Sequence, residues 1–415
     1  MKVLMFGWEF PPRILGGLGT ASYGLTRGLA AQGDMDISFV IPKSYGDEDQ
    51  SFLRIIGANT VPIVWRDISY DYALQHTRQA DEYFIFRQGI RYDFSRIGTD
   101  LLGRVEFSGV YPQNLHEEIY NYEAVASVIA HSTEFDIIHS HDWLTYPAGI
   151  FAKKISGKPL VIHVHATDYD RSRGNVNPEV YRIEKQGMDE ADHIIAVSDL
   201  TKQTIIDKYH ISPDKITTLH NAVEPLHFKP KTQRKDLDTK VITFLGRITM
   251  QKGPEYFVEV ASIVLSRVDN VRFVMAGSGD MMEEMIALVA EKGISDKFHF
   301  TGFLKGDAVY EMLSQSDVYI MPSVSEPFGI SPLEAMQCGT PSIISFQSGC
   351  AEILRHALKA DYWDTLTMAD YICSIVKYPA MYNSLHDNGL KEISEIRWEY
   401  AGQKLKRIYE KVLGR

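Results

Sequence analysis

Three features are scarce in this sequence: cysteine, long hydrophobic runs and clustered basic residues. The 415 residues include only Cys338, Cys350 and Cys373, too few for a disulfide framework, which favours a cytoplasmic protein in a reducing compartment. No apolar stretch approaches the roughly 20 residues of a membrane-spanning helix. With 43 Lys and Arg against 54 Asp and Glu, the formal net charge is −11, which disfavours a broad surface for nucleic acid or anionic lipid.

Short apolar segments are, by contrast, frequent and regularly spaced. Most are hydrophobic at nearly every position, which is typical of strands buried on both faces of a parallel sheet. The predicted strands are residues 3–6, 37–41, 160–165, 194–197, 241–245, 271–275, 318–321 and 342–345. Helix-like stretches lie between them, for example at 23–31, 255–266 and 281–292. This alternation predicts an α/β protein with parallel sheets.

A polar segment at 224–239 separates two halves, each of which opens with a strand, a glycine-rich turn and a helix. Each half is long enough for a doubly wound, Rossmann-like domain. We therefore expect an N-terminal domain at 1–223 and a second domain at 224–390. Helices at 391–415 are expected to pack back toward the N-terminal domain.

The first glycine-rich turn is Gly16-Gly17-Leu18-Gly19, with a helix expected to begin near Thr20. Glycines before a helix let backbone N–H groups approach an anion, and the helix dipole adds to the attraction. An ordinary loop that needs positive φ explains the same pattern. A dinucleotide site is disfavoured because nine residues separate the turn from the strand, and Ser22 replaces the third glycine.

The second turn carries two basic residues. The strand at 241–245 is followed by Gly246-Arg247, and Lys252-Gly253-Pro254 comes shortly after it. Proline suits the first turn of a helix, so both cations are expected at the carboxyl edge of a sheet, where doubly wound folds bind ligands. A guanidinium together with an ammonium suits a diphosphate. Each cation taken alone is more often a surface charge.

Two glutamates follow the strand at 318–321. Ser331, Pro332 and Glu334 form the pattern of a capping box, which gives Glu334 a structural explanation. Glu326 has no such explanation. It lies between a buried strand and a glycine-containing turn, at the edge where ligands bind.

Two histidine pairs, His139 with His141 and His163 with His165, each share one face of a predicted strand. Histidine in a strand is most often a hydrogen-bonded core or edge residue. Such pairs also bind metal in barrel-type hydrolases. The organisation in two halves argues against that barrel, and a metal-dependent hydrolase is kept as a remote alternative.

Together these motifs resemble those of retaining glycosyltransferases of the GT-B type, and within them the group that holds glycogen and starch synthases. That resemblance implies an α/β fold in which two doubly wound, Rossmann-like domains face each other across a cleft. The matching elements occur in family order over positions 16–334. They are Gly16-Gly17-Leu18-Gly19, His141-Asp142-Trp143, His165-Ala166-Thr167-Asp168, Gly246-Arg247 with Lys252-Gly253, and Glu326 with Glu334.

The resemblance implies that the second domain binds the donor, a nucleotide-sugar. Arg247 and Lys252 would hold its diphosphate and stabilise charge on the leaving group. Glu326 would bind sugar hydroxyls near the reacting carbon, and Glu334 the ribose. The turn at Gly329-Ile330 belongs to the same donor-binding set.

From the first domain, Gly16 and Gly17 would close on the phosphates. His165 would lie beside the donor sugar and complete the catalytic set. The acceptor side would be formed by Glu9, His141, Asp142 and Trp143, the last as a packing residue or a sugar platform.

No metal or other cofactor is expected. Two fixed cations at the departing diphosphate supply what many transferases take from a metal ion, and no Asp-x-Asp motif lies in a suitable loop. The resemblance also implies retention of the anomeric configuration, by front-face attack assisted by the leaving phosphate.

The favoured reaction is elongation of an α-1,4-glucan from ADP- or UDP-glucose, because Trp8-Glu9-Phe10-Pro11-Pro12 and His141-Asp142-Trp143 look most like glycogen synthases. Aromatic residues at 68–122 could stack on a glucan, although buried packing is their more common role. Arg171 and Arg173 are the main argument for a sugar phosphate acceptor instead, although a solvated loop is the more common role of such residues. A surface polysaccharide is a further alternative. A non-catalytic sugar-nucleotide or glucan-binding protein is the alternative outside the enzymes.

Overall fold

The computed structural model describes residues 1–14, 16–65, 101–112, 114–172, 174–226 and 238–415. Two parallel sheets organise these residues. The first has seven strands in the order β3-β2-β1-β6-β7-β8-β9. Between β3 and β6 in the sequence, β4 and β5 form a separate antiparallel pair. The strands are β1 Lys2–Phe6, β2 Asp36–Ile41, β3 Arg54–Gly57, β4 Ile63–Trp65, β5 Leu101–Gly103, β6 Ile137–His141, β7 Leu160–Val164, β8 His193–Ala196 and β9 Ile216–Thr218.

The second sheet has six strands in the order β12-β11-β10-β13-β14-β15. They are β10 Lys240–Leu245, β11 Val271–Ala276, β12 Phe298–Gly302, β13 Val318–Met321, β14 Ser342–Ser345 and β15 Leu358–Ala360. The prediction of an α/β fold with two doubly wound domains is therefore confirmed. In each sheet the strand order reverses beside the first strand, between β1 and β6 and between β10 and β13. Ligands of doubly wound folds bind at the carboxyl ends of the strands at such reversals.

Helices cover both faces of the two sheets. Those of the first lobe are α1 Gly17–Ala30, α2 Leu115–Ser132, α3 Tyr146–Ser156, α4 Asp168–Arg171, α5 Pro178–Glu190 and α6 Asp199–Tyr209. Those that follow are α7 Pro254–Leu265, α8 Met282–Glu291, α9 Asp307–Ser314, α10 Ser331–Gln337, α11 Thr365–Lys377, α12 Pro379–Ile393 and α13 Trp398–Val412. None of the helices within the described ranges is long and apolar enough to cross a bilayer.

The last helix, α13, packs on α1 in the first lobe. A Cβ at Gly24 would come within 2.2 Å of the Trp398 ring, and one at Gly28 within 2.0 Å of the Trp398 carbonyl oxygen. Only glycine allows this approach of two helix backbones. Leu405 and Tyr409 extend the contact into the core under the first sheet. A helix from the end of the chain thus completes the lobe that the beginning of the chain builds.

Two expected helix starts are wrong. Helix α1 begins at Gly17, with extended Gly16 as its N-cap residue, rather than near Thr20. Helix α10 begins at Ser331, after Ile330, and has no side-chain cap. The capping box predicted for Ser331 and Glu334 is absent because Ser331 lies inside the helix, where its hydroxyl interacts with Tyr319. The Glu334 carboxylate consequently makes no capping hydrogen bond at the start of this helix.

Candidate active site

The predicted donor side of the cleft begins at the loop after β10. Arg247 is exposed, and its guanidinium donates to Gln251, with 3.2 Å between Nη2 and Oε1. This loop lies directly against the loop after β11, since a Cβ at Gly277 would come within 1.8 Å of the Gly246 carbonyl oxygen. Gly277 has φ +138, which strongly favours glycine. The tight contact fixes the backbone from which Arg247 projects.

Lys252 and Glu326 form an ion pair, although 74 residues separate them in sequence. Glu326 is buried, and its backbone is held on both sides: its N–H donates to Gln347 and its carbonyl accepts from Gly349, each at 2.9 Å. The loop after β13 therefore carries the carboxylate to the ammonium at the start of α7. The predicted sugar-binding and phosphate-binding groups are brought together.

Glu334 is half-buried on α10. Burial raises the pKa of its carboxyl to about 7. Gly329 precedes this helix with φ +93, in the left-handed region that favours glycine. Ile330 follows as the N-cap residue and packs against apolar residues of both lobes. The turn at Gly329-Ile330 thus lies where the two lobes meet.

Three histidines of β6 and β7, together with His165 directly after β7, form one stack on the sheet face that α1 and α13 cover. The Nδ1 atom of His141 lies 3.0 Å from Nε2 of His165. His139 stacks on His141 and His163 stacks on His165, each with 4.3 Å between ring centroids. The hydroxyl of Tyr409 on α13 bonds Nδ1 of His139. His165 is half-buried, whereas the other three rings are buried completely.

Burial keeps these rings neutral. It lowers the pKa of His141 to about 3 and holds the pKa of His165 well below its ordinary value, and the neighbouring ring and Arg171 lower the latter further. His141 was predicted to line the acceptor side. Because its side chain is buried, His141 lies behind His165, which is the more accessible of the two bonded rings.

An ion-pair network lies beside the histidines. Arg171 donates to Asp142, with 2.7 Å between Nη2 and Oδ2, and to Glu184, with 3.1 Å between Nη1 and Oε1. Both carboxylates are buried, and Tyr209 also donates to Glu184. Asp142 has φ +63, an unusual value for a residue other than glycine. Its Oδ1 atom is buried with no hydrogen-bond partner among the described residues.

Glu9 and Trp143 occupy different settings. Glu9 is buried, accepts a hydrogen bond from Tyr111, and would meet a Cβ added at Gly19. Trp143 is 9% exposed and packs in the main core of the first lobe, with its ring 6.1 Å from that of His116. Of the two roles left open for Trp143, the structure therefore favours packing over a sugar platform.

Gly16 and Gly17 form the exposed start of α1. A Cβ at either position would meet no atom within 4 Å. The backbone N–H groups of this first helical turn are thus reached from solvent, as an anion-binding turn requires.

Direct hydrogen bonds join the two lobes next to these residues. Ser325, which precedes Glu326, donates to Asp170, with 2.6 Å between Oγ and Oδ1. Farther along, Glu352 of the second lobe accepts from the backbone N–H groups of Asp199 and Leu200, at 2.9 and 2.8 Å, and bonds His220 at 2.7 Å. The candidate residues of both lobes therefore belong to one cleft.

Some of these neighbours were missed from the sequence. Asp170 forms a capping box with Thr167, and the spacing Thr-x-x-Asp was a signal for it. The bonds Tyr111–Glu9 and Ser325–Asp170 join residues 102 and 155 positions apart. No local pattern predicts such pairs. Arg173 lies outside the described residues, as do positions 68–100 and 113 of the aromatic segment.

Within the described ranges, two groups of side chains place potential metal-binding atoms within 4.8 Å of one another: His139, His141 and His163, and Asp199, His220 and Glu352. The first set is stacked, with interplanar angles of 17–27°. A metal ion must lie in the plane of each imidazole, about 2.0–2.1 Å from its nitrogen, and nearly parallel stacked rings have no such common point. The second set is joined by hydrogen bonds to the start of α6.

Comparison with known proteins decides the family. Residues 15–225 match the family described as Glycosyltransferase Family 4, and residues 227–391 match the one described as Glycosyl transferases group 1. A glycosyltransferase of Methanocaldococcus jannaschii, itself uncharacterised, is 30% identical over 372 residues, which cover 86% of this chain and 83% of that one. The chain belongs to the family 4, group 1 glycosyltransferases.

Further relatives fit this assignment. A glycogen synthase of Mycobacterium tuberculosis is 24% identical over 85% of this glycosyltransferase and 80% of its own length. The structure of a sucrose-phosphate synthase from Thermosynechococcus elongatus superposes with a TM-score of 0.74 at 16% identity, covering 100% of this chain and 99% of that one. The fold is therefore the predicted GT-B fold.

Family membership confirms a retaining glycosyltransferase that uses a nucleotide-sugar donor. It removes two alternatives that the sequence left open, the non-catalytic binding protein and the metal-dependent hydrolase. The identity of the acceptor is a separate question, because the relatives include both a glycogen synthase and a D-inositol 3-phosphate glycosyltransferase.

Proposed function

We propose that this glycosyltransferase elongates an α-1,4-glucan by transferring glucose from ADP- or UDP-glucose with retention of configuration. The observation that carries the choice of acceptor is the position of Arg171. This side chain was the main argument for a sugar phosphate acceptor, but it lies between two buried carboxylates, Asp142 and Glu184. Its charge is already compensated within the protein.

The surroundings of Arg171 favour an uncharged acceptor. Near it lie two further acidic residues, Asp168 and Asp170, both buried. A phosphate placed there would be repelled by carboxylates without gaining a free guanidinium. Sugar hydroxyls carry no charge and can donate to such carboxylates. The name of the Mycobacterium tuberculosis relative, glycogen synthase, supports the same choice.

The proposed donor site uses two cations of the second lobe, Arg247 and Lys252. Arg247 is exposed and contacts only a neutral amide among its described partners, so its guanidinium is available to a diphosphate. Lys252 would exchange part of its contact with Glu326 for a phosphate oxygen. Glu326 would then accept from hydroxyls of the donor sugar, and Glu334 from the ribose.

Bond breaking builds negative charge on the departing diphosphate and positive charge on the sugar. The two cations stabilise the first, as preorganised charges do in other transferases. In front-face attack, the acceptor hydroxyl adds to the same face of the anomeric carbon from which the diphosphate leaves. Its proton passes to an oxygen of that diphosphate. His165 would lie beside the sugar in this step, and the N–H groups at Gly16 and Gly17 would contact the phosphates from the opposite lobe.

We propose the same division for the domains: residues 1–223 bind the acceptor and 224–390 bind the donor. The two family matches end and begin at 225 and 227, which supports this boundary. Residues 391–415 would belong to the first lobe in function, since α13 packs on α1.

The test is a transfer assay with purified protein, ADP-glucose or UDP-glucose, and a maltooligosaccharide. We expect products that grow in hexose steps by mass spectrometry, with new α-linkages by NMR. Fructose 6-phosphate and inositol phosphate serve as competing acceptors. Transfer to a phosphorylated acceptor but not to the oligosaccharide would overturn the glucan proposal. Arg182 is an exposed arginine of the same lobe that pairs with Glu179. Its substitution is the matched control for variants of Arg171.

A further inference from the structure

The hydrogen bond between His141 and His165 restricts which ring nitrogen of each histidine carries its proton. Nδ1 of His141 and Nε2 of His165 are 3.0 Å apart, so only one of the two nitrogens carries the shared hydrogen. Both rings are neutral at ordinary pH, because burial lowers the pKa of each. A neutral imidazole has one N–H donor and one lone-pair acceptor. The two rings must therefore be the same tautomer, with the proton either on Nδ1 in both or on Nε2 in both.

The other nitrogen of His141 decides which tautomer is present. Its Nε2 atom is fully buried and has no hydrogen-bond partner in the described part of the chain. Buried N–H groups without an acceptor are rarer than buried acceptors without a donor. If the proton of His141 were on Nε2, that donor would be unsatisfied. Placing it on Nδ1 directs it at His165 and leaves only a lone pair unsatisfied.

The tautomer of His165 follows. Its Nε2 accepts from His141, so its own proton lies on Nδ1. This ring is half-buried, whereas His141 is buried completely. The Nδ1–H group is thus the only ring donor of His165 available to a ligand in the cleft.

The surroundings prevent His141 from turning away. Its ring stacks on His139 at 4.3 Å and on Phe39 at 6.0 Å between centroids. His139 is in turn bonded to Tyr409 of α13. The His141 ring is thus held between rings from three strands. One of them, the ring of His139, is anchored to the last helix.

We propose that His141 is a positioning residue that holds His165 in its Nδ1–H tautomer, so that His165 donates a hydrogen bond to an oxygen of the transferred sugar and does not accept a proton. This inference rests on the function proposed above. It agrees with front-face chemistry, in which the acceptor proton goes to the leaving diphosphate and no histidine base is needed. The occupant of the site is an uncharged hydroxyl or ring oxygen.

Two substitutions of His141 test the positioning role kinetically. His141→Phe keeps a buried ring but removes the bond to His165, and we expect kcat to fall about tenfold, the value of one hydrogen bond that fixes an active group. The KM for the nucleotide-sugar should change less than about twofold, since the diphosphate contacts are untouched. His141→Asn places an amide N–H near the position of Nδ1 and should recover most of kcat.

Tyr409→Phe is the matched control, because it removes a bond within the same stack but leaves His141 and His165 in contact. Its kcat should stay within about twofold of the wild type. Equal loss of kcat in Tyr409→Phe and His141→Phe would overturn the inference, since the stack would then act only through stability. A flat kcat in His141→Phe would do the same.

The tautomer itself is measured on the wild-type protein by long-range ¹H–¹⁵N correlation NMR with ¹⁵N-labelled histidine, and His165→Asn assigns the resonances. A protonated Nδ1 in His165 is the expected result, and a protonated Nε2 overturns the inference even if the His141 variants fail to fold. This measurement needs no substrate. Absence of glucosyl transfer with a correct tautomer would count against the proposed function alone.

Discussion

The two edges of the cleft differ in how their polar groups are satisfied. On the first lobe, the guanidinium of Arg171 is paired with Asp142 and Glu184, and His141 is bonded to His165. On the second lobe, Arg247 is exposed beside a neutral amide, and the Glu334 carboxylate caps no helix. The arginine of the proposed acceptor edge is thus paired within the protein, whereas Arg247 of the proposed donor edge remains for an anionic ligand to neutralise.

The difference has a physical reason. An acceptor brings only uncharged hydroxyls under the proposed function, so buried charges on its side must find partners within the chain. A nucleotide diphosphate brings its own negative charge, so exposed cations can await it at little cost in water. The Lys252–Glu326 pair is intermediate, since it is satisfied now and can be exchanged on binding.

The largest expected effect tests how strongly the buried ion pairs of the first lobe stabilise the fold. Arg171→Met removes the cation between two buried carboxylates, and the free energy of unfolding should fall by about 3–5 kcal/mol, because breaking a buried pair leaves uncompensated charge. Urea denaturation measures it. Arg182→Met, which breaks an exposed pair with Glu179, should cost less than about 1 kcal/mol. Equal costs for the two variants would remove the contrast between buried and exposed charges on this lobe.

The donor edge should show the opposite behaviour, with activity lost and stability kept. Arg247→Ala and Lys252→Ala should each lower kcat/KM about 10²–10³-fold, as loss of one preorganised charge does at other active sites. The melting temperature of Arg247→Ala should change little, because this side chain is exposed. Arg267→Ala, at an exposed pair with Asp370 on the same lobe, is the control. Wild-type kinetics in both site variants would refute the assignment of the donor site.

A smaller, pH-dependent effect is expected from Glu334. Burial raises the pKa of this carboxyl to about 7, and the neighbouring Tyr310 and Cys338 are neutral there. An ionised carboxylate is the better acceptor for ribose hydroxyls, so donor affinity should rise about fivefold between pH 6 and 8. Calorimetry with UDP or ADP measures it, and Glu334→Gln should give a flat profile. A steep profile in Glu334→Gln would assign the titration to another group.

The same shift affects the stability of the ligand-free protein in the opposite direction. A carboxyl whose pKa is raised on folding takes up a proton as the chain folds. Its favourable contribution is present below the pKa of the unfolded chain and is lost as the pH rises through about 7. Thermal melts at pH 5.5 and 8 should show this trend in the wild type and not in Glu334→Gln.

The smallest effect concerns the contact between the lobes. Glu352 places a carboxylate at the start of α6, where the helix dipole favours it, and bonds His220. Glu352→Gln should weaken this contact between the lobes by about 0.5–1 kcal/mol. Small-angle scattering of the free protein should show a larger radius of gyration than for Glu291→Gln, an exposed control on α8. Identical radii would mean that this contact does not hold the lobes together.

The fold was predictable where strands are buried on both faces. Residues 318–321 and 342–345 were predicted as strands with the bounds that the structure has, because a run of apolar residues bounded by polar ones leaves few alternatives. The short edge strands β3, β9 and β15 were missed. They have three or four residues and are half-exposed, so they carry little periodic signal.

The site was predictable in its motifs but not in its pairings. Turns and strand ends placed Arg247, Glu326 and His165 at the cleft, since parallel strands share a carboxyl edge. The partners of Arg171 lie 29 and 13 residues away, on elements whose relative position only the tertiary fold determines. The sequence therefore suggested a solvated loop or a phosphate ligand for an arginine that in fact pairs with two carboxylates.

The contact of α13 with α1 has a consequence for biosynthesis. The ribosome makes residues 1–30 before residues 398–412, yet Trp398 and Tyr409 cover the first sheet. The nascent first lobe must wait without this cover while the second lobe is translated. The lobe that is synthesised first is thus the one whose packing is completed later.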